Sequence, residues 1–269
     1  MMPSNTPLTD EQLASFSKNG YLILRDVLST QETTALQRWA QEIHDLPCTE
    51  HSSWMPYDEI QPNGTRVLCR TENFADSHTG FGALLRGETF LRILNQLSGE
   101  EMILFKEKIN YKLAGSGGYS AHIDSTAYTH IKNVKHLTIL LAIDAADTSN
   151  GGLEVVEGSH LMSIPISDVD RCIESSWVDG QTWVPVELKP GEMLIFGSYL
   201  AHRSDANASN GARKAVYATY NCKREGDLRE QYYADRRVVW PATHMRKAGK
   251  SYQLGRMRYG FGSPMLTIN

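Results

Sequence analysis

The chain has 269 residues, 41% of them hydrophobic and 22% charged, which suffices for one sizeable core, so a single domain over residues 1–269 is expected. A formal net charge of −4 and a pI near 6.1 give no global attraction for phosphate backbones or anionic lipid, which argues against nucleic acid and membrane as partners. The first residues lack a charged segment followed by an apolar stretch, and no run of about 18 apolar residues occurs, so a soluble cytoplasmic protein is expected.

Thr9 is placed to cap a first helix with Gln12 at the third position, and Leu13 and Phe16 supply its apolar stripe before Gly20 stops it. A strand, YLILRDVL, follows at residues 21–28. From Thr30 to His44, Ala35, Leu36, Trp39, Ala40 and Ile43 recur at helical spacing, which predicts a helix lying on a sheet. A third helix is expected over Thr89–Leu97, where Phe90, Leu91, Ile93, Leu94 and Leu97 recur in the same way. Helices thus crowd the first hundred residues.

Beyond them the period changes. The runs ILFKEKINYKL, VKHLTILLAID, GGLEVVEGSH, TWVPVEL, EMLIFGS and ARKAVYATYNC are short and β-prone, separated by Gly, Asn, Asp and Ser. They predict a mainly β fold, an antiparallel barrel or sandwich with helices on one flank. The tail from Glu225 to Asn269 shows a short helical stretch and then a Gly- and Arg-containing loop to which the pattern assigns no role. Cys48, Cys69, Cys172 and Cys222 are scattered, form no CxxC pair, and read as reduced, small, buried or half-buried hydrophobes.

The chemistry centres on GGYSAHIDSTAY, residues 117–128. His122 and Asp124 stand two apart, so in extended chain both side chains enter one pocket. Two histidines and a carboxylate on one face of a metal leave three positions open, the arrangement that suits non-haem iron(II) with an oxo acid and O2. His202, 78 residues after Asp124 in FGSYLAHRSDAN, is the candidate second histidine. HxD is common by chance, and a lone strand histidine is more often a core residue. Arg213, eleven residues after His202 at the head of RKAVYATYNC, strengthens the metal reading, because an anionic co-substrate needs a bidentate cation at the far end of the pocket.

At these residues the chain resembles the phytanoyl-CoA dioxygenase family of iron(II)- and 2-oxoglutarate-dependent oxygenases. NGGLEVVEGSH, residues 150–160, is similar to that family's strand and turn, and the likeness runs from about Thr9 to Trp240. It implies a double-stranded β-helix, a jelly roll of cupin type, with N-terminal flanking helices. It also implies Fe(II) on His122, Asp124 and His202, and the distal carboxylate of 2-oxoglutarate on Arg213 and Ser204. Two departures touch no ligand: Glu157 stands where the family has Pro, and Ile123 fills the variable position between the ligands. FKEKINYKLAGSGGYSAHID together with the later YYADRR resembles the branch that hydroxylates 2-aminoethylphosphonate and its trimethylated relative.

In LFKEKINYKL, alternation places Lys106, Lys108, Asn110 and Lys112 on one face and Phe105, Glu107, Ile109, Tyr111 and Leu113 on the other. The ordinary reading of such a face is solvation. Because the strand leads into the Gly-rich loop before His122, the face is expected instead to line the cavity. Asn110 and Lys108 would then meet the co-substrate, and Lys106, Lys108, Arg70, Asn73 and Tyr128 a small anionic or zwitterionic substrate, with His130 a further wall candidate. His136 and His160 read as structural, and His44, His51, His78 and His244 have no evident partner.

The resemblance implies that 2-oxoglutarate is decarboxylated to succinate with O2 while the substrate is hydroxylated. The same chemistry on a natural product, with desaturation, demethylation or rearrangement, is the first alternative. A non-catalytic ligand-binding barrel is the second. Asp124 speaks against halogenation, which needs the carboxylate position free. Oligomeric state is not legible.

Overall fold

The computed structural model describes residues 7–267. In chain order its first half comprises α1 (Asp10–Asn19), β1 (Tyr21–Leu24), α2 (Thr30–His44), β2 (Met55–Ile60), β3 (Arg66–Glu72), α3 (Thr79–Leu85), α4 (Glu88–Ser98) and β4 (Met102–Lys112). There follow β5 (Tyr119–His122), β6 (His136–Ala142), β7 (Leu153–Val155), α5 (Ser175–Asp179), β8 (Val184–Val186), β9 (Met193–Gly197), β10 (His202–Ser204), β11 (Arg213–Cys222) and α6 (Arg229–Val239).

The strands form two antiparallel sheets, one ordered β1-β9-β6-β11-β4-β3-β2 and the other β5-β10-β7-β8. Facing each other, they make the jelly roll that the family resemblance implies, within the antiparallel barrel or sandwich that the strand runs predict. The inner core joins Leu140, Ala142, Leu194, Phe196, Ala215 and Tyr217 of the large sheet to Leu153, Val155 and Val186 of the small one. On the outer face of the large sheet, Ile109, Tyr111, Ile139, Leu141, Val216 and Ala218 pack under Leu36, Ala40, Ile43, Phe81, Phe90 and Leu94. Both faces of the central strands are therefore buried, which is why every residue of β6 is buried and its second half, residues 139–142, is an unbroken apolar run.

The helices start where their caps lie. Thr9 and Ser29 each close a capping box, with Gln12 and Glu32 respectively, and Gly20 ends α1 in the left-handed conformation. The expected helix at Thr89–Leu97 spans Glu88–Ser98.

Three features depart from the sequence reading. The hairpin β2–β3, with no clean alternation in its sequence, extends the large sheet by pairing Arg70 with Asn110 and Glu72 with Lys108. The expected strand over residues 21–28 stops at Leu24, before Asp26 adopts a positive φ. On β4, Phe105 does not share a face with Glu107 and Ile109. The pairing with β11 skips it, from Lys106 opposite Thr219 to Leu104 opposite Tyr220. This bulge turns Phe105 inward against Tyr128, His136 and Tyr232. Three of the four cysteines are buried as expected, whereas Cys48 is exposed beside His244, and all four are free thiols.

The tail has a role after all. Its α6 lies against β2, β3 and β4 and is fixed by two buried arginines. Arg229 pairs with Glu107 and, at 3.1 Å, with Asp76; Arg236 pairs with Glu72 at 2.7 Å and donates to Tyr57 Oη at 3.1 Å. Glu107 has no exposed surface. Arg229→Met strips its partner, so a loss of about 3–5 kcal/mol is expected in urea denaturation. Arg86→Met, which breaks the solvent-exposed pair with the same Asp76, is expected to cost less than about 1 kcal/mol. Equal losses in the two variants would show that the Arg229 pair is not the anchor.

Candidate active site

β10 pairs antiparallel with β5 and sets His202 directly opposite His122, their ring centroids 4.1 Å apart. Ile123 is extended and Asp124 opens a short 3-10 turn, so its carboxylate swings to the same side as His122. Asp124 Oδ1 lies 3.9 Å from His122 Nε2 and 4.0 Å from His202 Nε2. The ligating atoms all lie within 4.8 Å of one another, the only such set of three among the described residues. Each ring is held from behind, His122 Nδ1 by Ser120 O at 2.7 Å and His202 Nδ1 by Leu200 O at 2.9 Å. A carbonyl can only accept, so each Nδ1 carries the hydrogen and each Nε2 turns a lone pair inward, as a metal requires.

The protonation states fit the same use. Burial, helped by the neighbouring His202, pushes His122 down to about 3, and burial also lowers His202. Burial alone would raise Asp124, but any proton on His202, the charges of Lys108 and Lys106, and any proton on His122 outweigh it and hold the carboxyl below its usual range. Two neutral imidazoles and a carboxylate result, the donor set proper to a divalent ion.

The motif at residues 150–160 builds the frame around this centre. Its strand β7 pairs with β10, and Ser159 Oγ accepts from Ala201 N at 2.9 Å just before His202. Glu157 accepts a hydrogen bond from Tyr21 Oη at 2.7 Å.

The inward face of β4 runs as a ladder beneath the metal set. Lys106 and Lys108, with Arg70, Tyr119, Tyr128, Tyr232, Arg236, Tyr259, Phe261 and Ser263, line a narrow cavity that reaches His122 and Asp124. Burial lowers Lys106 to about 8 and Lys108 well below its ordinary value. Lys106 Nζ stands 4.8 Å from the Tyr128 ring centroid, and Lys108 Nζ 4.8 Å from that of Tyr217. Asn110 Oδ1 accepts from Arg70 Nε at 3.0 Å. At the base of the ladder Lys112 Nζ donates to Ser204 Oγ at 2.9 Å, and Arg213 Nη2 to Gly151 O at 2.5 Å. Burial and the charge of Arg213 push Lys112 down to about 7.

One expected wall residue is elsewhere. Asn73 has a left-handed backbone and donates to Ser53 O at 2.9 Å while accepting from Arg229 at 3.0 Å, in the anchor of α6 rather than in the cavity. His130 stands behind the wall, 2.7 Å from Tyr259 Oη. The other histidines have structural partners: His78 caps α3 and meets Glu42, His160 meets Ser17 O, and His44 meets Asp45. Tyr119, Tyr232, Arg236, Tyr259, Phe261 and Ser263 were not foreseen as wall residues. The one signal for two of them was YYADRR, which contains Tyr232 and Arg236.

A jelly roll with a His-Asp-His set across its seam and a buried arginine at its base defines a non-haem iron oxygenase. The family model for phytanoyl-CoA dioxygenase (PhyH) matches residues 16–215. Methylphosphonate hydroxylase of Gimesia maris is 42% identical over 87% of this chain and 88% of its own length. 2-Aminoethylphosphonate dioxygenase of an uncultured bacterium (HF130_AEPn_1) is 33% identical over 96% and 98%. Among solved structures, EctD from S. alaskensis with 2-oxoglutarate and 5-hydroxyectoine superposes with a TM-score of 0.69 at 19% identity, covering 83% of this chain and 79% of its own. The chain belongs to the phytanoyl-CoA dioxygenase family of iron(II)- and 2-oxoglutarate-dependent oxygenases. It is an enzyme that uses Fe(II), 2-oxoglutarate and O2. No helix among the described residues is long and apolar enough to cross a membrane.

Two outcomes follow from this geometry. His122→Ala, Asp124→Ala and His202→Ala should each abolish stoichiometric Fe(II) binding while leaving the far-ultraviolet spectrum unchanged, since the core clusters do not include the metal set; retained iron in any variant would remove that residue from the site. The second concerns His136, buried between the Phe105 and Tyr128 rings and pushed by burial and Lys106 down to about 4. Below pH 6.5 the unfolded chain takes up a proton that the folded one refuses, so stability falls as the pH drops from 6.5 towards 4, by roughly 3 kcal/mol for this group. His136→Phe should remove that increment from urea-derived stabilities, and parallel pH profiles of parent and variant would exclude it.

Proposed function

We propose that this enzyme hydroxylates a small phosphonate, of the alkyl or aminoalkyl kind, at one of its carbons. The observation that carries the reading is the charge of the cavity: Arg70, Lys106, Lys108 and Arg236 face it, against the carboxylates of Asp124 and, behind the wall, Glu72. Buried cations in excess of their anions are costly unless a ligand answers them, and a phosphonate brings two negative charges on a compact head. The methylphosphonate and 2-aminoethylphosphonate enzymes among the relatives support the same class. An apolar natural product would leave these cations unanswered.

In this reading His122, Asp124 and His202 hold Fe(II), and Arg213 with Ser204 receives the distal carboxylate of 2-oxoglutarate. Asn110 and Lys108 flank the co-substrate, while Lys106, Lys108, Arg70 and Tyr128 meet the substrate. Bound iron supplies oxygen activation coupled to decarboxylation of 2-oxoglutarate to succinate and CO2. The chain supplies position: lysine and arginine fix the anionic head, and the rings of Tyr119, Tyr128 and Phe261 exclude water beside the metal set. Residues 1–269 act as one catalytic domain, a reading supported by the tail's share in the cavity wall. Four free thiols favour a reducing compartment, the cytoplasm.

The test is succinate release with Fe(II), 2-oxoglutarate and O2 over a panel of methylphosphonate, 2-aminoethylphosphonate, amino acids and uncharged natural products, with phosphorus NMR to detect the hydroxylated product. Best turnover on an uncharged or apolar compound would overturn the proposal. Lys106→Met should raise KM for the best phosphonate about tenfold or more without changing KM for 2-oxoglutarate. Arg213→Met should do the reverse, raising KM for 2-oxoglutarate by at least about thirtyfold, since a desolvated carboxylate that loses a charged partner forfeits about 2 kcal/mol or more. If the two variants affect the same ligand, the assignment of the two ends is wrong.

A further inference from the structure

We propose that Lys112 completes the seat of the co-substrate's distal carboxylate, by directing the Ser204 hydroxyl at it and by adding a second positive charge beside Arg213. This rests on the reading that 2-oxoglutarate binds with that carboxylate against Arg213 and Ser204.

Strand register places Arg213 directly opposite Lys112, and both side chains turn into the base of the barrel, 2% and 3% exposed. Lys112 Nζ is surrounded by three oxygens: Ser204 Oγ at 2.9 Å, Gly151 O at 3.1 Å, and Asp205 O. In its protonated form, which a bound carboxylate would favour, Lys112 has three hydrogens to give and no lone pair, so Ser204 Oγ accepts from it. The serine's own hydrogen then points away from Lys112 and is free for an anion.

Arg213 is left equally ready. Its Nη2 donates to Gly151 O, the same carbonyl that Lys112 uses, and its buried Nε has no partner. Among the described residues neither cation forms an ion pair with a carboxylate. Two buried cations thus share one carbonyl, with an orphaned N–H and an uncommitted hydroxyl hydrogen beside them. A carboxylate would satisfy all of these donors, and its charge would favour the protonated form of the lysine.

Gly151 protects the arrangement. It sits at φ +71°, and a Cβ there would come within 2.8 Å of Lys112 Nζ and 2.4 Å of Asp205 O. The first glycine of the NGGLEVVEGSH segment therefore leaves room for the amine as well as permitting the turn.

The experiment uses the Fe(II)-loaded full chain under anaerobic conditions and measures by calorimetry the Kd of 2-oxoglutarate and of 2-oxovalerate, which keeps the oxo-acid end and lacks the distal carboxylate. Lys112→Met should weaken 2-oxoglutarate at least tenfold and leave 2-oxovalerate within twofold of the parent. Because the lysine acts partly through the serine, Ser204→Ala should cost less in the Lys112→Met background than in the parent. Should Lys112→Met fail to fold, Lys112→Gln carries the same comparison. An unchanged Kd for 2-oxoglutarate overturns the proposal, as does equal weakening of both oxo acids, which would show that Lys112 only holds the barrel base together. A parent that binds neither oxo acid would instead overturn the co-substrate reading itself, and the proposal with it.

Discussion

The structure is governed by the burial of positive charge inside a barrel. Along one inward face of β4, three lysines and an asparagine are withdrawn from water, and β3, β11 and α6 bring Arg70, Arg213 and Arg236 to meet them. Water would solvate these groups far better than a protein interior does, so the arrangement persists only because each is given partners. Glu72 serves two arginines at once, tyrosine rings stand against Lys106 and Arg236, and main-chain carbonyls take Lys112. What these partners leave unanswered is positive charge in the cavity beside the metal set and an unpaired Arg213 Nε at the barrel base.

The metal set itself asks little of the fold beyond a seam between two short strands. His122 and His202 meet because β5 and β10 pair, and β10 is kept in register by β7 on its other side. The carbonyls behind each ring come from the residue two positions earlier in the same strand or its approach, so a short extended segment carries both ligand and orienter.

Much of this was legible in the residues. HxD at strand spacing, the distant histidine and the arginine at the head of a β-prone run name the centre before any coordinates, because period-two geometry converts spacing into shared direction. The alternation of Lys106, Lys108, Asn110 and Lys112 likewise gave their common face. Phe105 escaped, since a one-residue bulge leaves no mark on an alternating pattern read from one side. Asn73 was misplaced because proximity in sequence to Arg70 says nothing of a left-handed residue that turns its side chain towards Arg229. The β2–β3 hairpin and the tail were unreadable for another reason: their burial comes from ion pairs and ring contacts with distant segments, and such pairings have no period.

The wall of the cavity has two origins. The His-Asp-His set and the group of Lys112, Ser204 and Arg213 at the barrel base are carried by the roll, whereas Tyr232, Arg236, Tyr259, Phe261 and Ser263 come from the last forty residues and are held on by Arg229 and Arg236. The cavity is thus closed from two sides, by strands of the roll and by the C-terminal segment. Because Arg229 and Arg236 clamp the tail to Glu107 and Glu72 of the roll, loosening either ion pair would unseat one wall of the cavity while His122, Asp124 and His202 stay where the small sheet holds them.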